Sequence, residues 1–177
     1  MSGQRLRVVA ATGFVIGAVL GMAGSFTPSA QLRSLAWGVD GIALVVASAL
    51  LVVHYSREGN DLLAAGFLTF LAGQTLIVAT SAMELTASVP LFGTGAGLWS
   101  AGLALVSVSS RMPMLVRATG AVASVLLAIT AVRILCGAGL MALSKPLPFF
   151  AYPFLALTLF GWAWAHVRSK PSNQVSS

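Results

Sequence analysis

The sequence predicts an all-α integral membrane protein: six transmembrane helices arranged as three repeated helical hairpins, with both termini cytoplasmic. Three observations carry that expectation. The first is composition: 58% of the 177 residues are apolar, 8% are charged, and the mean hydropathy is +0.93. Soluble chains keep about a quarter of their residues charged to cover their surface, and this chain has too few to do so. The second is segmentation, because nearly all the charges lie at the edges of six long apolar blocks. The third is a set of recurring landmarks that groups those blocks in pairs.

The blocks run over residues 8–26, 35–53, 62–83, 91–108, 114–143 and 149–165. Each is near or above the ~20 residues that carry a helix across a ~30 Å hydrocarbon layer. Block one follows Arg5 and Arg7 and carries Gly13, Gly17 and Gly21, two overlapping GxxxG patterns on one helix face. Without side chains, such a face lets another helix approach closely. Packing inside the bundle is the expected use, and a contact between copies is the alternative. The segment also has the basic, apolar and small-residue order of a secretory signal ending near Ser29-Ala30. Its length and its place in the repeat favour a retained helix. Block two contains Asp40 and closes on His54-Tyr55-Ser56-Arg57. Block three contains Gln74 and Thr75, with Glu84 just beyond it. Block four lies between Pro90 and Arg111, and block five contains Arg133 and the single cysteine, Cys136. One cysteine permits no intramolecular disulfide and no cysteine metal cluster. Block six carries Pro153 near its start, where a missing N–H is tolerated, and closes on His166-Val167-Arg168.

Ala10-Ala11-Thr12-Gly13-Phe14 recurs as Leu63-Ala64-Ala65-Gly66-Phe67 and again as Arg117-Ala118-Thr119-Gly120-Ala121. Pro28, Pro90 and the Pro146/Pro148 pair mark one turn of each pair of blocks, and Arg57, Arg111 and Arg168 mark the other. A period of roughly 53–57 residues suits a transmembrane hairpin, which sets hairpins at about 8–54, 62–110 and 114–167 in a single domain. Residues 168–177 read as a short polar cytoplasmic tail. Hairpins in one orientation form a parallel repeat about an axis along the membrane normal.

With the N-terminus in the cytoplasm, Arg5, Arg7, Arg57, Arg111, Arg117, Arg168 and Lys170 fall inside, and only Arg33 and Lys145 fall outside. The positive-inside rule therefore fixes the orientation. The richness in Ala, Gly, Val and Leu, with Arg above Lys, suggests a bacterial protein of the cell inner membrane. The partners expected are the lipid bilayer and a second copy or another membrane protein. Despite a net charge of +6, the basic residues form no run or stripe, so nucleic acid is not expected.

Asp40 and Arg133 are the two charges inside blocks, and a charge within a bilayer needs a partner or a purpose. At 1.5 Å per residue, Asp40 lies roughly 21 Å from His54 and Arg133 roughly 24 Å from Arg117. Both then fall in the outer third of the membrane, with Glu84 at the outer interface. One reading makes them the lining of an outward-opening pocket, with Arg133 holding an anionic group. The other makes them a structural ion pair, or sends Arg133 snorkelling to the headgroups. Gln74 is a further ligand candidate or an interhelical hydrogen-bonding group. His54 and His166 at the inner face are candidate axial ligands of a haem, or ordinary interfacial side chains.

No Walker loop, HExxH, nucleotide-binding glycine fingerprint or GxSxG elbow is present. The expectation is a small polytopic inner-membrane protein without catalytic activity, cofactor or metal. It would be transporter-like or accessory, with a polar pocket in the outer half of the bilayer. The alternative is a membrane-embedded enzyme or a bis-histidine haem protein.

Overall fold

Six helices follow one another in the computed structural model, which describes residues 3–80, 83 and 85–168. They are α1 (Gly3–Phe26), α2 (Ala30–Arg57), α3 (Asp61–Thr80), α4 (Leu85–Val108), α5 (Met114–Leu135) and α6 (Ala151–Arg168). Glu84 and the expected tail beyond residue 168 lie outside the described residues.

Each helix packs on its neighbours in the chain, and α6 also packs on α1, so the six close into a ring. Successive helices run antiparallel. Along the α1–α2 seam, Gly13 faces Ala43 and Ala47, Gly17 faces Leu44, and Gly24 faces Trp37. The ring thus has a near end, carrying the start of α1 and the finish of α6, and a far end. The turn after Phe26 and the connection 136–150 lie at the far end.

All helices but α6 are long and apolar enough to cross a membrane. α6 is the shortest, at 18 residues, and carries Tyr152, Pro153, His166 and Arg168. Large apolar side chains point away from the ring on every helix, among them Val15, Ile42, Leu68, Val108, Val125 and Leu157. Soluble monomers rarely expose apolar surface on that scale. An all-helical bundle with such an exterior is consistent with a multi-pass helical membrane protein.

Local chemistry explains where the helices stop. Ser29 caps α2, its hydroxyl accepting from the Leu32 N–H at 3.3 Å. α2 ends where Gly59 takes φ +67°, with Asn60 N–H donating to Tyr55 C=O at 2.9 Å and Gly59 N–H to Ser56 C=O at 3.3 Å. This is a Schellman closure, which needs the left-handed conformation that glycine adopts without a steric penalty. α5 ends in the same way. Gly137 has φ +97°, Ala138 N–H donates to Arg133 C=O, and Gly137 N–H donates to Ile134 C=O, both at 2.9 Å.

That closure corrects the sequence reading of block five, which carried one span through to residue 143. The helix stops at Leu135, and the apolar residues beyond it belong to an irregular connection. This segment folds over the far end, where Phe149 meets Phe26 edge to face at 5.7 Å and Lys145 Nζ lies 4.9 Å from the Phe149 ring centre. Pro153 is the third residue of α6. Its missing N–H falls among the first-turn groups that have no intrahelical partner.

The closest backbone packing lies between α3 and α4. A methyl group on Gly73 would meet the Gly95 carbonyl oxygen at 2.8 Å, and one on Gly102 would meet the Gly66 carbonyl oxygen at 2.8 Å. The α4–α5 seam is held by two reciprocal hydrogen bonds. Ser100 Oγ donates to Ser124 C=O and Ser124 Oγ to Ser100 C=O, each at 2.8 Å.

Aromatic rings fill the ring's centre toward the near end. Trp162 of α6 packs against Phe14 of α1 at 5.4 Å and against Phe67 and Phe70 of α3 at 4.9 and 5.3 Å. The Tyr55 ring stacks on Phe67 at 5.7 Å. Phe14, Phe67, Phe70 and Trp162 are all essentially inaccessible. They form a plug, and the space above it toward the far end is filled differently.

Candidate functional site

A cavity of about 600 Å³ occupies the far half of the ring, between α1, α2, α3, α4 and α6. That volume lies within the ~300–1,000 Å³ of small-molecule sites. Trp99 of α4 lines it and stacks on Phe70 of the plug at 5.9 Å, so the aromatic centre closes it toward the near end. Arg33, Ser34, Met83 and the segment 140–143 line it toward the far end.

The walls combine glycine, aliphatic and aromatic surface with a few polar groups. Gly17 and Gly21 of α1 belong to the wall, and across from them stands Asp40 of α2. Asp40 Oδ1 lies 3.0 Å from where a Gly17 Cβ would be, and Oδ2 lies 3.2 Å from the same point at Gly21. The α1 glycine stripe therefore has two uses within one chain. Gly13 admits the α2 backbone, with Ala43 O only 2.9 Å from its would-be Cβ, and Gly17 and Gly21 make room for the carboxylate.

Gln74 comes from α3, and its Nε2 lies 3.5 Å from the Cβ position at Gly41, the residue after Asp40. It is 1% exposed. Among the described residues, five buried side-chain polar atoms have no hydrogen-bond partner in the protein. Three of them, Asp40 Oδ1, Gln74 Oε1 and Trp99 Nε1, belong to residues lining this one cavity. A buried polar group without a partner is costly, by about 1–3 kcal/mol, and such groups are few in folded proteins. Three such groups on the walls of one cavity make it the candidate site. Tyr152 of α6 also lines it, within electrostatic reach of Asp40.

Arg133 takes no part in this site, contrary to one expectation from the sequence. It sits in the last turn of α5 and is exposed. Among the described residues, neither of the two ion pairs involves Asp40 or Arg133. The Asp40–Arg133 pair inferred from equal depth is therefore absent. Two residues matched in height can still face different ways around their helices, and α2 and α5 are not neighbours in the ring. The Gly137 closure also places Arg133 near a helix C-terminus, where a cation is favoured. Among the described residues, the one cation lining the cavity is Arg33, whose guanidinium lies 6.0 Å from the Trp37 ring centre at the far end. Glu84 lies outside the described residues.

The near end carries a separate polar cluster. His166 is buried, with Nδ1 2.6 Å from Trp162 C=O and Nε2 2.8 Å from Tyr55 Oη. The carbonyl can only accept, so Nδ1 carries the proton and Nε2 accepts from the tyrosine hydroxyl. His54 Nε2 lies 3.2 Å from Glu58 Oε1, and Glu58 Oε2 accepts from Arg111 Nη1 at 2.9 Å. Both ring nitrogens of His166 are thus engaged, and the axial haem ligation considered for His54 and His166 has no free nitrogen on His166. These contacts join the end of α2 to α6 and to the turn between α4 and α5 instead. Among the described residues, no three of His, Cys, Asp and Glu gather in a metal-holding group.

Set against protein-family models, curated proteins and solved structures, the chain shows no match. The functional reading therefore rests on the site itself.

Proposed function

We propose that this is a small multi-pass inner-membrane protein without catalytic activity of its own, transporter-like or accessory, that holds a small ligand in a cavity in the outer half of the bilayer. The observation that carries the reading is that Asp40, Gln74 and Trp99, each with a buried polar atom that has no protein partner, all line one cavity. Placing the far end of the ring outward follows from the positive-inside rule. Both termini then lie in the cytoplasm with Arg57, Arg111 and Arg117. The three-hairpin repeat rests on the spacing of its marker residues in the sequence.

A ligand-holding role agrees with the division of the interior. The aromatic plug closes the near end, and the cavity lies on the far side of it, with Arg33, Ser34 and Met83 in its lining. Intramembrane polar side chains facing a cavity typically mark a path or a binding site. Native mass spectrometry of the protein in mild detergent tests the reading. A retained small molecule is expected in the wild type. It should be lost in Ala156→Phe, which places a ring in the cavity from its α6 wall. Equal retention by that variant would contradict the reading.

A further inference from the structure

The cavity's polar atoms are not neutral in what they select. Its deep carboxylate, Asp40, has no cation within ion-pair distance among the described residues. Gln74 adds a second acceptor oxygen without a partner. A carboxylate withdrawn from water needs a counter-charge or a proton. Trp37, Phe92, Trp99 and Tyr152 line the same cavity, and aromatic faces attract cations through their quadrupoles.

Resting on the ligand-holding reading above, we propose that the cavity binds a monovalent organic cation, an ammonium group on an apolar or aromatic body. Asp40 is its counter-charge, Gln74 is a second acceptor of its N–H groups, and the aromatic walls receive its body. A hard metal ion is a poor fit, because such ions take six or more oxygen ligands and these walls are mostly hydrocarbon and ring. An organic anion is a poor fit as well. Arg33, the one cation of the lining among the described residues, sits two helical turns outward of Asp40 and beside Trp37, so an anion held there would leave Asp40 uncompensated.

The test uses the full chain in mild detergent and three probes with similar bodies and different charge: 2-phenylethylammonium, 2-phenylethanol and 3-phenylpropionate. Binding is read by tryptophan fluorescence, since Trp37 and Trp99 line the cavity. The ammonium should bind at least about tenfold more tightly than the alcohol or the carboxylate. Asp40→Asn, nearly isosteric, should remove that preference, with folding checked by helical circular dichroism and gel filtration. The comparison among probes on the wild type stands even if the variant misfolds. Equal or tighter binding of the alcohol or the carboxylate would overturn the proposal, as would unchanged ammonium affinity in folded Asp40→Asn, or no binding of the ammonium at all. A molecule retained in native mass spectra and displaced by Ala156→Phe, together with any of those results, overturns the cation assignment and leaves the ligand-holding reading standing. Retention unaffected by Ala156→Phe removes both.

Discussion

Replacing Gly13 with alanine tests whether the α1 glycine stripe is an intramolecular seam. A Cβ there would lie 2.9 Å from the Ala43 carbonyl oxygen and 2.9 Å from the Ala47 methyl. Heavy-atom contacts are most favourable at about 3.5–4.0 Å, so the helices must separate by roughly 0.5–1 Å. A gap of that size forfeits about a quarter to a half of each contact's dispersion energy along the seam. Overpacking of this kind costs about 1–3 kcal/mol. Alanine also favours the helix over glycine by up to about 1 kcal/mol, which partly masks the cost. Gly38→Ala controls for that gain, because a Cβ at Gly38 meets nothing within 4 Å. The expected gap between the two variants is about 1–3 kcal/mol, with Gly13→Ala the less stable. Equilibrium unfolding in mixed detergent micelles, followed by tryptophan fluorescence, measures it. Equal stability of the two variants, or a change of oligomeric state in place of a change of stability, would refute the argument.

Three further outcomes are expected. Tyr55→Phe leaves the buried His166 Nε2 without its 2.8 Å partner and should lower stability by about 1–3 kcal/mol, read in the same unfolding assay. Ser100→Ala and Ser124→Ala each remove one of two reciprocal bonds. Interhelical bonds in membranes average about 0.6 kcal/mol, so each single variant should lose about that much, and the double variant should be near additive because each hydroxyl donates to a backbone carbonyl that the other substitution leaves in place. Glu58→Gln loses its ion pair with Arg111. Both side chains are largely exposed, so stability should fall by no more than about 1 kcal/mol, and the loss should shrink in high salt.

Residue order alone made the helices legible, because basic residues and prolines punctuate the apolar blocks at both ends. It did not show the end of α5. Hydropathy cannot tell a lipid-facing helix from an apolar connection that covers a cavity, and residues 138–143 are as apolar as the helix before them. The Gly137 and Gly139 pair was the available signal. The GxxxG run on α1 was visible because its glycines are four apart. The α3–α4 interlock was not, because Gly66 and Gly73, like Gly95 and Gly102, recur at seven. That spacing also returns to the same helix face.

The site was half legible. Asp40 and Gln74 stand out as polar residues in apolar blocks, and both line the cavity. Pairing Asp40 with Arg133 failed because rise along an axis gives height and not direction, and direction depends on which helices are neighbours. Trp99 gave no sign of its part, since a tryptophan in an apolar block reads as packing. Only the tertiary arrangement leaves its indole N–H without a partner.

The central claim is a cavity within the membrane that opens outward. Cysteine accessibility measures it most directly, with Cys136→Ser removing the native thiol and Met22→Cys placing one on the α1 wall. In intact cells, a small membrane-impermeant thiosulfonate should label this cysteine from outside, and labelling should fall when Ala156→Phe is added. Labelling only after the cells are permeabilised, or no labelling in either case, would contradict the account.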